Sequence, residues 1–183
     1  MIVELVDVSL GLLLLRVVFG LAIAAHGAQK LFGWWDGPGI EGFAGWLGSM
    51  GVRSPRVAAT MAGLSEFVGG LLLALGLAMP VAALLITAVM LTAIATVHWS
   101  SGFWSASGGY EYNLAIVAVA IAVATTGPGR YSLDRVFDVD GFAGWEWGLG
   151  ALVLGAVIAM VNVAGRDTSP STSADASGEV TAT

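Results

Sequence analysis

Five long runs of apolar residues follow one another along the chain. They cover residues 8–32, 57–79, 81–98, 113–127 and 147–164. Each run comes close to the roughly 20 residues that a helix needs to cross the hydrocarbon core of a bilayer. The turn LAMPV between the second and third runs is so short that these two helices must form an antiparallel hairpin. The pattern predicts a polytopic all-α membrane protein.

Composition strengthens this interpretation. Of the 183 residues, 57% are hydrophobic and only 11% are charged, and the mean hydropathy is +0.85. A water-soluble domain of this size could not cover so much apolar surface, so lipid is expected to be the solvent. The formal net charge of -6 comes mostly from acids in loops and in the tail, and no basic run is present. We therefore expect the bilayer, and no nucleic acid, as a partner.

The positions of the basic residues bear on whether the first apolar run is a cleavable signal peptide and on how the helices are oriented in the membrane. The leading segment MIVELVD has no positive charge and the first apolar run is interrupted by Arg16, so we interpret that run as a helix and not as a cleavable signal peptide. Arg130 and Arg135 lie on one side of the five-helix arrangement. The other side carries more basic residues, namely Lys30, Arg53, Arg56 and Arg166. The positive-inside rule then predicts an external N terminus.

Two charges lie near the middle of apolar runs. Arg16 is near the middle of the first run and Glu66 is near the middle of the second, so antiparallel helices would bring them to similar depth. Because an unpaired arginine at the bilayer centre costs about 2.5 to 3.5 kcal/mol, we predict an Arg16–Glu66 ion pair. The pair could bind a ligand or could merely set the helix register. Small residues that would permit close packing surround both charges: Gly20, Gly27, Gly63, Gly69 and Gly70.

Further polar residues gather at one end of the predicted bundle, where the first and third helices end and the fourth begins. The candidate ligand-binding or buried polar residues are Arg16, His26, Lys30, Glu66, His98, Glu111 and Tyr112. The alternative is that polar residues collect at helix ends because the headgroup region is wet. No nucleophile with its base and no metal-ligand spacing is visible, so we assign neither catalytic residues nor a metal. Cysteine is absent, which excludes thiolate chemistry within this chain.

Three segments resemble the DoxX family of small bacterial membrane proteins. They are LRVVFGLAIAAHGAQKLFGWW, GLSEFVGGLLLALG and GGYEYNLAIVAVA, and the resemblance covers about residues 8–130. It implies a four-helix bundle associated with membrane redox chemistry, since relatives are named for subunits linked to thiosulfate and quinone oxidoreduction. Other relatives are linked to superoxide-detoxifying and sulfur-transfer partners. The positions that match the family motifs are Arg16, His26, Gly27, Lys30, Glu66, Gly69, Gly70, Glu111 and Tyr112.

The resemblance and the apolar runs together divide the chain into four parts. These are a DoxX-like four-helix bundle, an acidic loop, an appended fifth transmembrane helix and a disordered C-terminal tail, at residues 1–130, 131–146, 147–165 and 166–183. We expect an accessory subunit of a redox or respiratory assembly in the bacterial inner membrane, rather than a stand-alone enzyme. A quinone is the candidate cofactor and other redox proteins are the expected partners. The alternatives are a quinone-binding oxidoreductase component and a small-solute or proton transporter.

Overall fold

The computed structural model describes residues 2–139 and 141–166, with side chains from residue 8 onward. Over this part of the chain the fold is all-α, as the apolar pattern predicts. Its helices are α1 (Ile2–Phe32), α2 (Gly39–Ser49), α3 (Pro55–Leu75), α4 (Met79–Ala93), α5 (Glu111–Thr126), α6 (Leu133–Val136) and α7 (Trp145–Ala164). The predicted disordered tail, apart from its first residue, lies outside the described residues.

The five apolar runs all form helices. Four of these are long and apolar enough to cross a membrane, at Val8–Phe32, Pro55–Leu75, Met79–Ser101 and Trp145–Ala164. The remaining run forms α5, which is apolar but has only 16 residues, or about 24 Å at the usual rise per residue. The chain is therefore a polytopic helical membrane protein.

Helices α3 and α4 form the predicted hairpin. Helix α3 begins at Pro55, whose restricted φ suits a first helical turn, and ends before Gly76, whose φ of +65° is the left-handed conformation typical of a helix C-cap. Helix α4 begins at Met79, and the two helices pack against each other. The short turn leaves them no other arrangement.

Helix α4 is central to the bundle, because α3, α5 and α7 all pack against it. The core between these helices is aliphatic and includes Leu73, Ile86, Ile116 and Val123. Helix α7 also packs against α5, so the predicted appended helix is an integral part of this side of the bundle. Helix α1 packs mainly against α3, and the short helix α2 lies across α3 and α1.

Helices α1 and α3 approach each other closely enough for their backbones to touch. A Cβ atom placed on Gly20 would lie 2.5 Å from the backbone nitrogen of Ala74, and one on Gly70 would lie 2.5 Å from that of Ala24. Gly27 faces the backbone of Phe67 in the same way, and Gly63 faces the side chain of Leu31. Gly69 instead faces Ile86 of α4. Glycines therefore allow the close contact between α1 and α3.

We expect Gly20→Ala to destabilise the bundle by about 1 to 3 kcal/mol, because the added methyl group overlaps the α3 backbone. The measurement is thermal unfolding of the purified protein in detergent. Gly11→Ala is the matched control on the same helix, since a Cβ there has no atom within 4 Å. Because Gly11→Ala replaces a helical glycine with a better helix former, the thermal stability should stay the same or rise slightly. Equal losses in both variants would contradict close packing at Gly20.

Candidate functional site

An ion pair joins α1 to α3 at one end of the bundle. The Nζ atom of Lys30 lies 2.5 Å from Oε1 of Glu66. The Glu66 side chain is only 3% exposed, whereas that of Lys30 is 25% exposed. Lys30 also lies 5.0 Å from the ring centre of Phe43 on α2, within the range of a cation–π contact. One ammonium group thus connects three helices.

The predicted ion pair between Arg16 and Glu66 is wrong, because Glu66 pairs with Lys30. The prediction assumed that the middles of the two apolar runs lie at the same depth. In the structure Gly27 lies against Phe67, which places Glu66 beside the last turns of α1. Arg16 is eleven residues from Gly27, or about 16 Å along the helix. The glycine contacts, and not the lengths of the apolar runs, determine which charges meet.

Arg16 is instead fully buried near the opposite end of the bundle. Its Nη2 donates a hydrogen bond of 2.5 Å to the carbonyl oxygen of Tyr131, and it interacts electrostatically with Asp134. The buried Asp134 carboxylate accepts hydrogen bonds from the backbone N–H groups of Ala78, at 2.8 Å, and Met79, at 3.4 Å. Part of the predicted acidic loop therefore folds onto the bundle, where it caps α4 and faces the arginine.

The other predicted polar residues do not meet in one place. His26 and Tyr112 contact each other edge to face, with ring centres 6.3 Å apart, and both are exposed on the outside of the bundle. Glu111 accepts hydrogen bonds from the backbone and hydroxyl of Ser105, at 3.0 and 3.1 Å. The candidate residues His26, Glu111 and Tyr112 therefore do not converge on Glu66, whose partner is Lys30. The Glu111 carboxylate instead accepts hydrogen bonds from the loop that precedes α5.

A cavity of about 560 Å³ opens beside Lys30. Its walls come from α2, from α4 and from the π-helical turn Ile94–His98 that continues α4. Such π-helical turns occur frequently at functional sites. Among the described residues that line the cavity, only Lys30 and His98 are ionisable. The lining residues are Lys30, Pro38, Gly42, Phe43, Trp46, Leu47, Ala62, Val89, Thr92, Ala93, Thr96, Val97 and His98.

His98 is oriented by the loop that follows it. Its Nδ1 lies 2.7 Å from the carbonyl oxygen of Gly108. A carbonyl oxygen can only accept, so Nδ1 carries a proton and donates it to this bond, and Nε2 is the ring nitrogen left for a ligand. The cavity thus combines a cation, a ring nitrogen and apolar walls that include Phe43 and Trp46. This combination suits an amphipathic ligand with polar oxygens at one end.

Sequence reasoning found Lys30 and His98 but missed the contribution of α2. Phe43, Trp46 and Leu47 all line the cavity, and they share one helical face at spacings of three and four residues. That periodicity was visible in GFAGWL and could have indicated an amphipathic helix. Asp134 was also missed, and no local signal distinguishes this acid from the exposed acids around it.

Comparisons with known proteins agree with the fold. A model of the DoxX family matches residues 11–99, which include Arg16, Lys30, Glu66 and His98. The chain is 31% identical over 126 residues to a Bacillus subtilis (strain 168) protein named "Putative oxidoreductase CatD", covering 69% of this chain and 86% of the relative. It is 29% identical over 133 residues to "Inner membrane protein YphA" of Escherichia coli (strain K12), covering 68% and 88%. No solved structure matches the chain significantly.

Breaking the Lys30–Glu66 pair should have unequal effects from its two sides. Lys30→Met leaves a buried carboxylate without its cation, and we expect a loss of about 3 to 5 kcal/mol. Glu66→Gln should cost less, because the partly exposed ammonium can extend toward the headgroups. Thermal unfolding in detergent measures both. Glu41→Gln, which breaks the exposed Arg56–Glu41 pair, is the control and should have little effect. Equal losses for Lys30→Met and Glu66→Gln would refute the asymmetry.

Asp134→Ala should destabilise the opposite end of the bundle by about 1 to 3 kcal/mol, because two backbone N–H groups at the start of α4 lose their acceptor and Arg16 loses a nearby negative charge. The exposed Asp138 provides the control, as Asp138→Asn. Hydrogen exchange at the first turn of α4 should increase only in the Asp134 variant. Unchanged exchange there would show that the carboxylate is not a helix cap.

Proposed function

The chain belongs to the DoxX family of membrane proteins, and on that premise we propose that it is an accessory membrane subunit of a redox assembly that holds a quinone beside Lys30. Two facts support a redox role. A relative that shares 31% identity is named "Putative oxidoreductase CatD", and the cavity combines polar groups with apolar walls, as an amphipathic ligand requires. Because the chain has no cysteine, thiolate-bound electron carriers would have to belong to a partner protein.

The observation that carries the proposal is that Lys30 and His98 line the same, mostly apolar cavity. The chemistry that a bound quinone supplies is the reversible uptake of two electrons and two protons. A redox partner would supply or accept those electrons. The cavity volume of about 560 Å³ lies within the range of small-molecule sites.

Each lining residue then has a defined task. The Lys30 ammonium donates a hydrogen bond to a ring oxygen, while its contact with Glu66 holds it in position. The Nε2 atom of His98 accepts from a hydroxyl group when the ligand is reduced. The rings of Phe43 and Trp46 contact the flat face of the ligand, and Val89 of α4 adds an aliphatic wall.

The positions of the charged residues argue against the transporter alternative. Arg16 and Lys30 are fourteen residues apart on α1, or about 21 Å, and each belongs to a separate polar cluster. A proton or ion pathway would need polar groups between them.

We also infer a bacterial inner-membrane location with the Lys30 end of the bundle in the cytoplasm and the N terminus outside, because most basic residues lie at that end.

Equilibrium dialysis of a short-chain quinone analogue against the purified full chain in detergent tests the proposed site. We expect saturable binding that weakens about tenfold in His98→Phe, because one hydrogen bond to the ligand is lost. His26→Phe is the matched control, since His26 is the other histidine of the chain and does not line the cavity. Absence of saturable binding, or equal weakening in both variants, would reject the quinone site.

The accessory role has its own test. Affinity purification in mild detergent followed by mass spectrometry should recover a redox protein in stoichiometric amount. Failure to recover one, together with saturable quinone binding, would reject the accessory role and retain the cavity as a ligand site.

A further inference from the structure

A second cavity, of about 600 Å³, lies between α3 and α7. Both helices pack on α4, which forms the floor of the cavity with Leu84 and Leu85. Three apolar lining residues at its rim are themselves exposed: Val57 at 63%, Met61 at 53% and Val161 at 65%. The cavity therefore opens sideways on the outer surface of two helices that are long enough to span the membrane. Its mouth faces the region that lipid occupies.

One end of this cavity is basic. Arg53 and Ser54 precede α3, and Arg166 follows α7, so all three lie where the helices reach the membrane surface. The Arg166 guanidinium donates hydrogen bonds to the carbonyl oxygen of Met50, at 2.8 Å from Nη2 and 3.3 Å from Nε, which holds it at the cavity. None of the described residues that line the cavity is acidic.

The other end is aliphatic and extends toward the middle of the membrane. Thr96 and Leu84 both line the cavity and are twelve residues apart, or about 18 Å along the helix. That length is similar to one leaflet of a hydrocarbon core about 30 Å thick. A basic end at the surface and an apolar slot one leaflet deep are complementary to a phosphate head and an acyl chain.

We propose that this cavity binds one anionic glycerophospholipid from the surrounding bilayer. Arg53 and Arg166 bind its phosphate, and Leu84, Leu85 and Ile158 contact one acyl chain. A lipid with a net negative head is favoured over a zwitterionic one, because the two arginines attract the phosphate and repel a choline or ethanolamine group. This site adjoins the proposed quinone site but has its own polar groups, since neither Lys30 nor His98 lines it.

The test uses native mass spectrometry of the delipidated full chain with added phosphatidylglycerol or phosphatidylcholine of identical acyl chains. We expect phosphatidylglycerol to bind at about tenfold lower concentration. Arg53→Gln should weaken that binding about fivefold, the effect of one basic residue near the membrane surface. Arg56→Gln is the matched control, because Arg56 lies one turn further along, pairs with Glu41 and does not line the cavity. Equal binding of the two lipids, or equal effects of the two arginine variants, would overturn the proposal.

A second variant tests the chain slot without altering the arginines. Ala58 lines the cavity, and Ala58→Phe should fill part of it and weaken phosphatidylglycerol binding while leaving thermal stability near that of the parent protein. Inorganic phosphate serves as the headgroup probe and should not displace the lipid at millimolar concentration. Displacement by inorganic phosphate, or undiminished lipid binding by Ala58→Phe, would show that no acyl chain occupies the cavity.

Discussion

Backbone contact between α1 and α3 is the constraint on which the arrangement of charges depends. Lipid solvates apolar side chains as well as a neighbouring helix does, so helices in a bilayer associate through close packing rather than through burial. Gly20, Gly27 and Gly70 leave no space for a methyl group between the two backbones. The helices consequently cannot slide past each other without a clash. That fixed register brings Lys30 to Glu66 and Arg16 to the turn at Gly76.

The Lys30–Glu66 pair and the Arg16–Asp134 cluster each hold a segment from outside the long helices against the bundle. Lys30 is paired with Glu66 and lies near the ring of Phe43, so the pair helps to keep α2 over the bundle, where α2 forms one wall of the first cavity. Asp134 caps α4 beside Arg16, so the segment after α5 stays on the α3–α4 turn. The side chains of Glu66 and Asp134 are both buried, and a buried carboxylate without a partner would be costly.

The two cavities adjoin each other, and this proximity has consequences for both proposed ligands. Leu47, Ala62, Val89, Thr92 and Thr96 line both cavities. A lipid in the groove between α3 and α7 would therefore contact the wall of the quinone site. The family model matches residues 11–99, whereas the second cavity is also lined by Ile158 and Arg166. Helix α7, which lies outside the matched region, therefore contributes one side of that cavity.

The membrane-protein class, the five apolar helices and the α3–α4 hairpin follow from the sequence alone, because they depend on segment length, hydropathy and turn length, which are local properties. Lys30, Glu66 and His98 were also identified from the sequence as candidate ligand-binding or buried polar residues. The partners of these groups depend on how the helices pack in three dimensions. Glu66 meets Lys30 instead of Arg16 because register depends on glycines from both helices, which no single segment reveals. Asp134 is buried, unlike the exposed Asp138 of the same segment, because a distant helix end needs its carboxylate and a distant arginine lies beside it.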